Sequence, residues 1–403
     1  MIQDSSLKEL LVKHFWAQRA FVQPEVDVYY GEGTSGAQKL ITDVDVYALV
    51  PRRDLTYARV LGDCRTLKSQ SPAARALWLR GLLVFVEGSS GLILLKAGAP
   101  IERDHKLAAT SVGIQLMNAD DFKVYDRAVI YPEGSSKENV SMADFRQLAR
   151  LNERYPNVLP LLEYLYRDCW RERTFGERIR HTLAAVRQVS RELDPSKQAH
   201  LAIVCDATAT FAVGVAECAA TIFHQYLHPT GKEELADALK VLVWGGSEQY
   251  HFYQKVRDKL LRSKGPFEQE SDLELPRWPD FLQLLRNVLE NPGIAFQVPW
   301  LLRSAAIDFI RGTQVLSQAS PTDLLLLKFG MLAVDYVCRA SYLPADFGKL
   351  LQAPFVRLQA DLALSLSKSA SARAGEEPKQ IQPASLESGT QESASKTDSK
   401  PSA

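Results

Sequence analysis

Four charged residues in two neighbouring segments carry the strongest chemical signal in this chain. Asp43 and Asp45 alternate within residues 41–50, and Asp63 and Arg65 alternate within residues 57–66. Both segments are rich in strand formers, and the stretch 51–56, with Pro51 and Asp54, is a polar turn, so the pair reads as an antiparallel hairpin. A turn centred on Asp54 sets Asp45 opposite Asp63 and Asp43 opposite Arg65. Side chains alternate along a strand, which directs all four to one face. Bare carboxylates this close repel, and one takes up a proton unless a divalent cation or a basic neighbour stands beside them. Two carboxylates around a divalent cation, next to a positive group, are what metal-dependent phosphodiester cleavage requires.

The surrounding pattern supplies elements that would position such a site. Leu7, Leu10, Leu11 and Phe15 have helical spacing within residues 6–18, and residues 21–30 read as a strand. Residues 31–36 form a turn into the hairpin. Ser71 and Pro72 open a helix over 73–86, because Ser caps and Pro suits the first helical position. The apolar run 92–96 reads as a strand buried on both faces. A helix over 101–112 stops at Gly113, a strand follows at 114–117, and an acidic turn at 118–121 leads to a β-like run over 123–131. This order describes an α/β domain over residues 1–131. A linker at 132–140 then leads to a mainly α-helical domain over 141–366, whose spacers hold Pro and Gly. Residues 367–403 contain no aromatic residue and are mainly Ser, Ala, Glu, Lys and Gln, which predicts a disordered tail.

Bulk composition narrows the function classes. Lys plus Arg equals Asp plus Glu at 48 each, which excludes a generally polycationic nucleic-acid coat. The five cysteines show no CxxC spacing, so neither a disulfide framework nor a structural zinc site is expected, and a cytoplasmic setting fits. Residues 201–227 are strongly apolar but include Asp206, Glu217 and His224, and read as a buried core segment rather than a membrane span.

Roughly the first 120 residues resemble the restriction-endonuclease-like, PD-(D/E)xK nuclease superfamily. A helix and a strand lead to the hairpin; its first strand carries Asp45-Val46-Tyr47-Ala48, and its second carries Asp63-Cys64-Arg65 at the position of the (D/E)-x-K motif. A capped helix, a strand, a helix and a further strand follow, as in many members. The resemblance implies a mixed sheet flanked by helices. It also implies a site in which Asp45, Asp63 and the carbonyl of Cys64 hold Mg²⁺ or Mn²⁺, ions that favour oxygen ligands. Arg65 departs from the family lysine. It stays protonated and cannot act as a base, yet it can stabilise charge on a phosphate; Asp43 would orient it.

Residues 51–80 hold seven basic residues against two acidic ones, and Arg52, Arg53, Lys68 and Arg75 within them are candidate DNA contacts. Such a run is also what a solvated helix face looks like. The sequence therefore leads to a divalent-metal-dependent nuclease or nuclease-like DNA-binding protein. The alternative is a catalytically inactive interaction protein whose helical region binds a partner. Asp43 and Asp45 with Gly33-Thr34-Ser35-Gly36 echo a nucleotidyltransferase, a lesser reading. His224 and His228 have zinc-ligand spacing, but a helix end before Pro229 explains them as well.

Overall fold

The computed structural model describes residues 2–30, 39–65, 71–132, 136–227, 231–264, 273–313 and 324–374. Lys68, His228, the turn at 31–36 and most of the tail lie outside the described residues. Met1–Ala360 make one compact unit, and Asp361–Ala403 make a second.

Helix α1 (Ile2–Ala17) precedes strands β1 (Phe21–Tyr30), β2 (Lys39–Pro51) and β3 (Tyr57–Arg65). Helix α2 (Pro72–Phe85), β4 (Ser90–Leu95), α3 (Arg103–Ser111) and β5 (Ile114–Asn118) follow. The sheet has the order β1-β2-β3-β4-β5. Its first three strands form an antiparallel meander, and β4 and β5 then add in parallel through α2 and α3. Parallel neighbours need such helical crossovers. The result is a mixed α/β sheet followed by a helical region.

The hairpin register agrees with a turn centred on Asp54, since Val46 pairs with Gly62 and Pro51 with Tyr57. Residues 123–131 are not β-like: helix α4 (Ala119–Ala128) occupies most of them. Asn118 caps that helix by accepting from the N–H groups of Asp120 and Asp121, and these two acids favour its positive end. The capping signal outweighs the strand-forming residues Val124 and Tyr125.

The boundary at 132–140 also needs correction. Tyr131 and Lys137 both donate to Asp126 on α4, and His14 of α1 approaches the same carboxylate at 2.7 Å. Lys137, within that segment, is thus tied to α4. The helical region likewise covers the sheet and is not a separate domain. Trp170 stacks on Phe21 of β1 at 5.3 Å and meets Tyr47 of β2 edge-on at 4.9 Å. Tyr57 of β3 donates to the carbonyl of Phe296 at 3.0 Å. Large aromatic faces on the sheet need cover, and the later helices supply it.

A single helix of 29 residues, Gln198–Tyr226, forms the centre of that region. It is the one helix among the described residues that is long and apolar enough to cross a membrane, and 94% of its apolar window is buried inside the protein. It is therefore a core helix here. All five cysteines are buried and none is in a disulfide, and burial pushes the thiols of Cys169, Cys205, Cys218 and Cys338 up, which keeps them protonated. At the C-terminal end, residues 367–374 belong to the helix Ala345–Ala374, so the expected disordered tail does not begin at 367.

Arg303, on the helix Val298–Arg311, joins the central helix to the sheet. Its Nε donates to Asp206 at 2.6 Å, and its Nη1 donates to the Val22 carbonyl of β1 at 2.6 Å. Both partners of the ion pair are 0% exposed. Removing one partner strands a buried charge, so Arg303→Met should lower unfolding free energy by about 3–5 kcal/mol in urea denaturation. The double change Arg303→Met with Asp206→Leu should recover most of that loss.

His14 provides a pH test. Burial lowers its pKa, against the pull of Asp126. Its folded pKa lies below its unfolded value, so the unfolded chain binds the proton first as pH falls. This contribution is complete above the ordinary histidine range and is lost progressively below about pH 6.5. Urea midpoints measured across pH 5–8 should fall toward the acid end, and His14→Gln should flatten that slope.

Candidate functional site

The two candidate carboxylates lie where β2 and β3 part. The β2–β3 ladder ends at Val46 opposite Gly62, one step before Asp45 and Asp63. Beyond that point the Asp45 side chain replaces a backbone acceptor: its Oδ2 accepts from the Cys64 N–H at 2.7 Å. Asp63 stays on the sheet, where β3 runs parallel to β4 and Asp63 sits opposite Ile93. Asp45 is 6% exposed and Asp63 3%.

Each carboxylate already has a cation of the protein's own. Lys8 of α1 places Nζ 3.0 Å from Asp45 Oδ1 and 3.2 Å from Glu25. Arg75 of α2 grips Asp63 at both oxygens, with Nε to Oδ2 at 2.9 Å and Nη2 to Oδ1 at 2.6 Å. A planar guanidinium matches a carboxylate in this two-bond geometry, and it is among the stronger polar contacts in proteins. The Arg75 guanidinium also lies over the Trp78 ring, 3.5 Å from its centroid. Arg65 adds a third cation, with Nε 3.2 Å from Asp63 Oδ1.

Backbone features bring Lys8 into range. Gly62 lets α1 lie close to β3, since a Cβ there would meet the Leu11 side chain at 2.7 Å. Leu11 is one turn along α1 from Lys8. Glu25 has φ of +57°, a left-handed conformation unusual for a residue with a side chain, and the β1–β2 register passes from Pro24–Val46 to Val26–Val44 without pairing it. Its carboxylate joins Asp45 around the Lys8 ammonium.

Electrostatics follow from this packing. Burial pushes the Asp45 carboxyl up; the Cys64 N–H and Lys8 pull it back, and neighbouring Asp63 adds to the rise. Burial opposes the Lys8 charge, but Asp45 and Glu25 outweigh it and hold the ammonium above its ordinary range. Arg65 is desolvated too, and Asp63, Asp45 and Asp43 together favour its charge. Asp43, which is exposed, acts on Arg65 only as a more distant charge.

No protein-family model, curated protein or solved structure matches this chain. The arrangement of side chains therefore carries the functional argument.

A divalent ion needs carboxylate oxygens with free lone pairs at octahedral positions. Here the oxygens of Asp45 and Asp63 are all engaged by Lys8, Cys64 N–H, Arg75 and Arg65. Among the described residues no group of three or more His, Cys, Asp or Glu is arranged to hold a metal. As placed, Lys8, Arg75 and Arg65 compete with a divalent ion for these oxygens.

The residues singled out in the sequence divide accordingly. Asp45, Asp63 and Arg65 come together, with Cys64 bound through its N–H. Arg75, read as a DNA contact, is instead tied to Asp63 inside the protein. Arg52 and Arg53 are exposed at the hairpin turn, and Arg52 pairs with Asp54 at 3.5 Å. The turn lies on the order of 20 Å along β2 from Asp45, at about 3.3 Å per residue, so these arginines cannot share a phosphate with Arg65. Lys8 and Glu25 went unread in the sequence. Lys8 is one of two lysines on α1, and only the fold brings it to Asp45.

Lys8→Met should leave Asp45 buried without its cation and destabilise the protein by about 3–5 kcal/mol, read as a shift in the urea midpoint. Adding Asp45→Asn should restore much of the loss. In wild type, the raised Lys8 pKa means that its contribution is fully present below about pH 10.4 and is lost as pH rises through the folded value.

Proposed function

We propose that residues 1–131 form a restriction-endonuclease-like module that binds rather than cleaves. The meander-plus-crossover topology, with Asp45 and Asp63 on the second and third strands, supports that relationship. The observation that carries the non-catalytic reading is the bidentate Arg75–Asp63 pair, together with Lys8 on Asp45. The two basic side chains neutralise the acids from within, the task a divalent cation performs in a metal-dependent nuclease. In this reading the charged cluster is structural and locks α1 and α2 to the sheet.

Hydrolysis of DNA is the second reading, favoured by the meeting of Asp45, Asp63 and Arg65 where the strands part. The two make opposite predictions. Under the binding reading, purified protein incubated with single-stranded, duplex and nicked DNA in millimolar Mg²⁺ or Mn²⁺ gives no cleavage above an Asp63→Ala control. Metal-dependent cleavage lost in Asp63→Ala would establish the hydrolytic reading instead. Thermal unfolding gives a separate check. An ion bound at a hundred times its Kd adds about 2.7 kcal/mol, so under the hydrolytic reading Mg²⁺ raises the midpoint and under the binding reading it does not.

A further inference from the structure

Two cavities adjoin along the first three strands, sharing two arginines in their linings. The smaller, about 170 Å³, lies between β1–β3, the end of α2 and the turn carrying Trp170. The larger, about 390 Å³, lies between the hairpin tip and the helices Phe175–Val189 and Gln198–Tyr226. Arg59 and Arg173 line both cavities. Arg59 is four residues along β3 from Asp63, roughly 13 Å at about 3.3 Å per residue, so this is a different place from the acid cluster.

Acids outnumber arginines around the two cavities, with Asp27, Glu87, Glu172 and Glu217 against Arg59, Arg171 and Arg173, but Glu172 meets His181 at 2.6 Å and Asp27 accepts from Tyr29 at 3.2 Å. Glu217 also faces Arg59, but Arg178 holds it at 2.8 Å while Arg59 stands 3.9 Å away. Arg173 is exposed and has no ion-pair or hydrogen-bond partner among the described residues. Two guanidiniums with spare donors on one wall suit a phosphate, whose oxygens accept paired N–H bonds. The positive end of the helix Phe175–Val189 points to the same region and adds field, although Thr174 and Glu177 already cap its first N–H groups.

The smaller cavity suits a flat ring. A cavity of about 150 Å³ holds a benzene ring, and this one is similar in size. Tyr47 and Trp170 line it, and Trp170 is held rigidly by its stack on Phe21 and by Nε1 donation to the Leu165 carbonyl at 3.1 Å. Asp27 and Glu87 also line it and accept hydrogen bonds, which favours a ring bearing N–H donors over a bare aryl group.

We propose that the joined cavities bind a nucleoside monophosphate unit, with an amino-bearing base in the smaller cavity and the phosphate between Arg59 and Arg173. The unit is either a free nucleotide or the 5′-phosphorylated end of a single strand. This site does not rest on the reading of the acid pair, and either can fail alone.

The test is titration calorimetry on the full chain with CMP, AMP, UMP, cytidine, inorganic phosphate and a short 5′-phosphorylated oligodeoxycytidylate. CMP or AMP should bind, and cytidine and phosphate alone should each bind about tenfold more weakly or worse, the size of one lost charged hydrogen bond. UMP, lacking the exocyclic amine, should fall below CMP. Arg173→Ala removes no internal contact and should fold normally while weakening CMP by about tenfold; Arg59→Gln should do the same. Binding of the oligonucleotide as tight as that of CMP assigns the site to strand ends, and binding of CMP alone assigns it to free nucleotide. Phosphate binding as tightly as CMP, CMP binding unchanged in Arg173→Ala, or no binding of any nucleotide would each overturn the proposal.

Discussion

The buried pair between Arg303 and Asp206 is the constraint around which the fold is arranged. Taking two charges fully out of water is unfavourable unless geometry and extra hydrogen bonds compensate. Here Asp206 also accepts from Tyr166 at 2.7 Å, and Arg303 also reaches the Val22 carbonyl and lies over the Phe21 ring at 3.8 Å. Those contacts can form only when the first strand, the central helix and the helix Val298–Arg311 are all in place. The pair thus acts as a register mark between segments far apart in sequence. It also fixes the neighbourhood of Phe21, against which Trp170 stacks, and so sets one wall of the smaller cavity.

The acid cluster obeys the same rule. Carboxylates with little access to water must find positive partners, and metal ions are only one source of them. Lys8 and Arg75 come from α1 and α2, the two helices packed on the meander and its crossover. Each helix is therefore held by apolar burial and by one charged contact at the strand ends. The arrangement favours a single docking of each helix over any sliding alternative, because a shift of one turn would separate the charges.

Much of the sheet was legible in the sequence because local signals and tertiary packing agree there. The first strand spans residues 21–30 as read, and the hairpin pairs as a turn at Asp54 requires. Asp45, Asp63 and Arg65 could be grouped because strand alternation relates neighbours two residues apart. The helix Ala119–Ala128 was missed because Val124, Tyr125 and Tyr131 resemble strand residues, while the deciding signal was the Asn118 cap. Lys8 and Glu25 were invisible for a different reason. Neither is near Asp45 in sequence, and Glu25 meets it through an unusual backbone angle that no periodicity announces. The apparent boundary near residue 135 misled because polar composition marks a surface segment as readily as a division between domains.

The central helix has a consequence for how the chain is made. Its partner Arg303 lies 97 residues downstream of Asp206. At about 5–20 residues per second, the ribosome needs on the order of 5–20 s to deliver that cover. During this interval a long greasy rod, similar in length and composition to a membrane segment, has emerged without its lid. The nascent protein is then a natural client for holdases, and its yield in a cell depends on how well that interval is shielded.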